Sequence, residues 1–282
     1  MGLSALLSLL RLKFSIPSLV SALVAFTMAH YHYGVSFTLN FLLALLVVFL
    51  VTSAGLVINE YYDYELDVFS GRDDLPLVRG EVDRRTARRV YLLLFALALT
   101  LSALISTAAL ATTAIASAFA VAYSRPPLRF KARPLLDSLT NGLTYGPITM
   151  ALVFESLKLP VVWAVVYSIP FFIFLSAGHM LLAVPTINED LSLNVRTSAA
   201  VLGKERAILV GAVLFAVASL LAVGYSMRGY YPRASLLFLP FMAYSILQLW
   251  MWRRGEDKER TFRRMEASFT AGALAFLLPF FL

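Results

Sequence analysis

Asn59, Asp63 and Asp67 recur at every fourth position of the segment Asn59-Glu60-Tyr61-Tyr62-Asp63-Tyr64-Glu65-Leu66-Asp67. On an α-helix that spacing sets all three on one stripe, about 6 Å from one to the next. Carboxylates held that close repel each other, and the arrangement makes sense when a cation sits between them. Mg²⁺ is typically held by one or two carboxylates together with substrate phosphates and water. The stripe therefore reads as half of a metal–diphosphate site; the plain alternative is a solvated helix end. A second acidic group, Asn188-Glu189-Asp190, leads to Asn194, Arg196 and Thr197. Asp190 is its best ligand candidate, and a plain polar loop is the alternative there.

Basic residues bracket both groups. Arg72, Arg79, Arg84 and Arg85 follow the first, and Arg125, Arg129, Lys131 and Arg133 lie in a later loop stiffened by Pro126 and Pro127. Arginine grips phosphate oxygens in pairs and lysine acts as a point charge. For Arg84 to Arg89 and Arg253 to Arg264, membrane topology is explanation enough; the 125–133 loop reads equally as a phosphate contact or as the same topological signal. Carboxylates, Mg²⁺ and basic side chains together suit an allylic diphosphate, because the bound metal improves diphosphate as a leaving group. C–O cleavage leaves an allylic cation. Tyr61, Tyr62, Tyr64, Tyr123 and Tyr145 offer ring faces to such a cation, although aromatic residues also pack and anchor at membrane interfaces.

What must position these residues is set by composition. Of 282 residues, 60% are hydrophobic and 15% charged, with mean hydropathy +0.77. A soluble chain carries roughly a quarter charged residues, so this one belongs in a bilayer. It has no cysteine, which excludes disulfides, thiolate metal sites and cysteine nucleophiles. A helix needs about twenty apolar residues to cross the hydrocarbon. Nine stretches qualify, at 14–34, 37–59, 89–106, 107–123, 135–154, 160–184, 206–226, 232–252 and 265–282. The fold expected is an all-α membrane protein of nine transmembrane helices around a central cavity. None of the stretches alternates with period two, which excludes a β-barrel.

Nine helices put the N-terminus and the loops after helices 2, 4, 6 and 8 on one side. That side holds 21 of the 24 Lys and Arg residues, leaving Lys158, Arg228 and Arg233 opposite. The crowded side is cytoplasmic by the positive-inside rule, giving an integral cell-membrane protein with its N-terminus in and its C-terminus out. The net charge of +7 is thereby a topological signal, and no nucleic-acid partner is expected. Sixteen of the seventeen acidic residues share that face, Glu155 being the exception, which puts the polar site there too. Each acidic group follows the second helix of a four-helix set. Helices 1–4 and 5–8 thus suggest an internal duplication within one domain, with helix 9 added.

With these motifs the chain resembles the UbiA superfamily of intramembrane prenyltransferases, over nearly its whole length. The resemblance implies Mg²⁺-dependent transfer of a prenyl group from a polyprenyl diphosphate to a hydrophobic acceptor. It implies that Asn59, Asp63, Asp67 and Asp190 hold the metal, the three aspartates as the catalytic carboxylates, with Lys131 and Arg196 around the diphosphate. Arg72, Tyr123 and Arg129 complete the expected substrate contacts. Thr186 stands where many members have Asp, and Asn188 or Glu189 is expected to compensate at the metal. The segments around residues 123–138 and 178–185 are similar to archaeal lycopene elongases. The first motif is equally similar to archaeal digeranylgeranylglyceryl phosphate synthases, so the acceptor is an ether-lipid precursor, a carotenoid or an aromatic quinone precursor.

Two other classes compete. A transporter would place ionisable groups and broken helices in mid-membrane. Only His179 lies well inside a span, read as a packing group, and only Pro170 interrupts one. A CDP-alcohol phosphotransferase would show an Asp-Gly dipeptide, which is absent.

Overall fold

The computed structural model describes residues 3–255 and 257–277. In chain order the helices are α1 (Leu3–Leu10), α2 (Leu12–Tyr33), α3 (Leu39–Phe69), α4 (Arg84–Ile105), α5 (Thr107–Ser124), α6 (Leu136–Leu143), α7 (Thr149–Ser156), α8 (Val161–Leu182), α9 (Ile187–Ser192), α10 (Ser198–Leu202), α11 (Lys204–Met227), α12 (Leu239–Arg253) and α13 (Lys258–Leu277). There is no strand among the described residues. Seven helical stretches among them are long and apolar enough to cross a membrane.

The starts and stops follow local chemistry. The Thr38 side chain accepts from Phe41 N–H to begin α3, and Asp83 caps α4 through Thr86 N–H. Ser106, fully extended, ends α4 and caps α5, so the expected break between the third and fourth spans is real. The 31 residues of α3 make it about 46 Å long at 1.5 Å per residue, well beyond a hydrocarbon core of about 30 Å. One end must project, and the polar end is the one carrying Asn59, Asp63 and Asp67.

Two expected spans look different. The 135–154 stretch is α6 and α7 joined by a π-helical turn, Thr144–Ile148, around Pro147. Proline supplies no backbone N–H, and the wider turn accommodates that loss. By contrast, α8 runs through Pro170 unbroken, so the expected interruption at Pro170 is absent and the proline-centred one lies at Pro147. The 265–282 stretch begins earlier, at Lys258, and residues 278–282 lie outside the described residues.

Helix α3 packs against α2, α4, α5 and α7, while α8 packs against α6 and α11. Small residues allow the close crossings, as membrane helices require. Gly142 of α6 faces α8 so tightly that an added Cβ would meet the Phe172 carbonyl oxygen at 2.8 Å, as well as Ser176 Oγ. A backbone oxygen cannot swing aside. Gly142→Ala is therefore expected to destabilise by about 1–3 kcal/mol in thermal unfolding in detergent. Gly178→Ala, where a Cβ meets nothing within 4 Å, should be neutral.

At the far end of the α2–α3 hairpin from Asp63, aromatic side chains tie the helices together. His32 stacks on Tyr167 at 4.7 Å and bonds the Tyr230 carbonyl at 2.8 Å.

Candidate active site

The stripe on α3 forms as its spacing requires, and its surroundings come from distant parts of the chain. Lys131, in the loop between α5 and α6, places its ammonium between two members of the stripe. Its Nζ donates to Asn59 Oδ1 at 3.1 Å and forms an ion pair with Asp63 Oδ2. Lys131 and Asp63 are each only 11% exposed. Arg129 adds a longer contact to Asp63 Oδ1 at 3.4 Å. Burial pulls the Lys131 ammonium below the ordinary lysine range, while Asp63 opposes that shift. Two oxygens of the stripe thus converge on one positive charge. That is the donor chemistry an Mg²⁺ ion requires, and the residues fit it. Asp67, one turn on, lies in the field of Asp63, Arg72, Lys131 and Arg11. Among the described residues, no three His, Cys, Asp or Glu side chains converge as a group that could hold a metal ion.

The second acidic group is less assembled. Asp190 accepts from Thr186 Oγ1 at 3.3 Å and Thr197 Oγ1 at 3.2 Å. Thr186 serves here as a hydrogen-bond partner of Asp190. Asn188, Glu189 and Arg196 are exposed. Arg72 is paired in two bonds with Asp74, at 2.9 and 3.0 Å, and its guanidinium also feels Asp67 and Glu189, one from each acidic group. Arg84 sits over the rings of Tyr61 and Tyr64, at 5.0 and 5.3 Å, so a protein cation already engages those two faces.

Several contributors had no signal in the sequence. Glu60, 2% exposed, points away from the stripe and accepts Leu77 N–H at 3.1 Å. With buried Leu75, Leu77 and Val82, it fastens the 70–83 loop over the end of α3. Glu60→Ala leaves that N–H buried without a partner and should cost about 1–3 kcal/mol locally, read as faster proteolysis within residues 70–83. Asp137, 1% exposed, accepts from Ser198 N–H at 2.8 Å and Ser198 Oγ at 2.5 Å. Ser198 Oγ in turn accepts Leu135 N–H at 2.8 Å. This knot ties the Lys131 loop to the segment that follows Asp190. Tyr123 donates to or accepts from His179 Nε2 at 2.9 Å, so this histidine has a polar partner, and it lies in the last turn of α8 rather than well inside the span.

Residues 18–274 match the UbiA prenyltransferase family. The chain belongs to that family. It is an integral multi-pass membrane enzyme, a prenyltransferase. Digeranylgeranylglyceryl phosphate synthase from Thermococcus gammatolerans is 32% identical over 251 residues, covering 83% of this chain and 85% of that one. Lycopene elongase/hydratase from Haloferax volcanii is 31% identical over 143 residues, 51% of this chain and 44% of that one. A UbiA homologue from Archaeoglobus fulgidus shares the fold with a TM-score of 0.74 at 21% identity, over 98% of both chains.

Proposed function

We propose that the enzyme transfers a prenyl group from a polyprenyl diphosphate to the free hydroxyl of a glyceryl phosphate ether lipid, with Mg²⁺ and with release of diphosphate. The observation that carries this reading is the convergence of Asn59 Oδ1 and Asp63 Oδ2 on one cation at the projecting end of α3. In this reading Asn59, Asp63 and Asp67 hold one metal, and Asp190 takes part from the second group with Asn188 nearby. Bound Mg²⁺ would neutralise the diphosphate and ease its departure. Lys131, Arg129, Arg72 and Arg196 supply positive charge for phosphate oxygens. Tyr123, the penultimate residue of α5, is a further substrate contact in this reading. A solved neighbour of 19% identity and TM-score 0.71 is bound to GPP and Mg²⁺, which supports the same ligand classes here.

The topology belongs to the same proposal: nine spans, with the α6–α7 unit and α13 as the two beyond the seven, the site on the cytoplasmic face and the C-terminus outside. The arrangement of two four-helix sets plus one helix is retained as an internal duplication in a single domain. The ether-lipid acceptor is favoured because the likeness to the synthase runs through most of both chains, whereas the likeness to the elongase covers about half of each.

Purified protein in lipid, given geranylgeranyl diphosphate and Mg²⁺, is tested with geranylgeranylglyceryl phosphate, lycopene or 4-hydroxybenzoate while diphosphate release is measured. Release with the glyceryl phosphate is the expected result. Release only with lycopene would move the acceptor to carotenoids, and failure to bind the diphosphate at all would sink the reading.

A further inference from the structure

Forming an ether from a hydroxyl releases one proton per turnover, and in the reading above Asn59, Asp63 and Asp67 are taken up by the metal. Asp63 is committed to Lys131, Asp190 accepts from two threonines, and Asp137 accepts from Ser198. His30 and His32 sit in the last turn of α2, at the opposite end of the bundle. The third histidine does not. His179 lies one turn before the end of α8, and Tyr123 is the penultimate residue of α5. Each helix runs directly into a loop that builds the site. Both side chains are partly buried. The field of Asp63 reaches Tyr123.

We infer that Tyr123 and His179 form a proton-accepting dyad that deprotonates the acceptor hydroxyl. This rests on the transferase reading above. The C1–O bond of the prenyl diphosphate breaks with its electron pair going to diphosphate, and an oxygen lone pair of the acceptor forms the new bond to C1. The acceptor's proton passes to Tyr123 Oη while the phenol proton moves across the 2.9 Å hydrogen bond to His179 Nε2. Imidazole is the side chain whose ordinary proton affinity suits that exchange near neutral pH. The ionisable groups around His179 are Tyr123 from α5 and Asp137 from α6. Toward α11 its helix meets Ala207, Ile208 and Phe215, none of them charged. The Asp137 carboxylate is thus placed to favour the imidazolium that forms.

The test is His179→Gln, whose amide still accepts a hydrogen bond from the phenol but cannot take its proton, alongside Tyr123→Phe. With geranylgeranyl diphosphate, Mg²⁺ and geranylgeranylglyceryl phosphate, kcat should fall about 100-fold or more in each, the usual worth of a positioned base. In His179→Gln, binding of a non-reactive prenyl diphosphate analogue should stay within about twofold, and the falling acid limb of the wild-type kcat–pH profile should vanish. If His179→Gln keeps wild-type kcat and its acid limb, the dyad is overturned. A loss of analogue binding and melting temperature matching the loss of rate would show packing and overturn it equally. Wild-type protein that forms no ether product overturns the reaction itself, and the dyad with it.

Discussion

Asp63→Ala is expected to lower prenyl transfer about a thousand-fold while leaving the protein folded. Asp63 is the one carboxylate of the stripe that two cationic side chains from another loop already contact. Removing it takes away the central donor between Asn59 and Asp67. Charge stabilisation by a bound metal is worth several kcal/mol, and about 4 kcal/mol corresponds to a thousand-fold in rate. Folding should survive because Asp63 lies near the projecting end of α3 and the freed Lys131 ammonium can turn outward from a side chain already 11% exposed. Asp63→Asn separates charge from shape, since it preserves the volume and one oxygen. An equal loss in both variants, with melting temperature in detergent little changed, is the expected pattern. A carrier or scaffold would tolerate either change, so near-normal turnover in Asp63→Asn would remove the metal role from the stripe.

The stripe was legible before any coordinates because it depends on one helix and a fixed period. Asn59, Asp63 and Asp67 need only the 3.6-residue turn to share a face, and α3 supplies it without interruption to Phe69. The break at Ser106 was legible for a similar reason, since a small polar residue both ends one helix and caps the next. What escaped depends on partners far off in sequence. Lys131 lies 72 residues from Asn59 and 68 from Asp63, and nothing in the loop shows that its ammonium would sit between those two. Glu60 stands one position off the stripe, and its partner is a backbone N–H, a donor that every residue but proline carries. The π turn at Thr144–Ile148 inserts a wider turn without changing the apolar pattern around it, so periodicity passes over it. The first turns of α13, from Lys258, are mostly charged and polar, so the apolar pattern starts later than the helix.

The same long-range character makes Asp137 the residue whose loss should do most structural damage. Its two oxygens take the backbone N–H and the hydroxyl of Ser198, 61 residues away, in a place 1% exposed. Bulk water does not reach that place. Asp137→Ala strands both donors in the interior, at about 1–3 kcal/mol each, and a total near 4 kcal/mol is expected in thermal unfolding. Because Ser198 Oγ also receives Leu135 N–H, the same change loosens the end of the loop that presents Lys131. Transfer activity should therefore fall at temperatures where the variant is still folded. Asp137→Asn keeps one acceptor oxygen and should lose about 1 kcal/mol. The decisive comparison is the pair Asp137→Ala and Ser198→Ala against the double variant. If the two side chains act as one knot, the double variant costs less than the sum of the singles by about 1 kcal/mol or more, because the orphaned hydroxyl is removed along with its acceptor. Strict additivity would mean that each side chain contributes through packing alone, and that the two halves of the site are held together elsewhere.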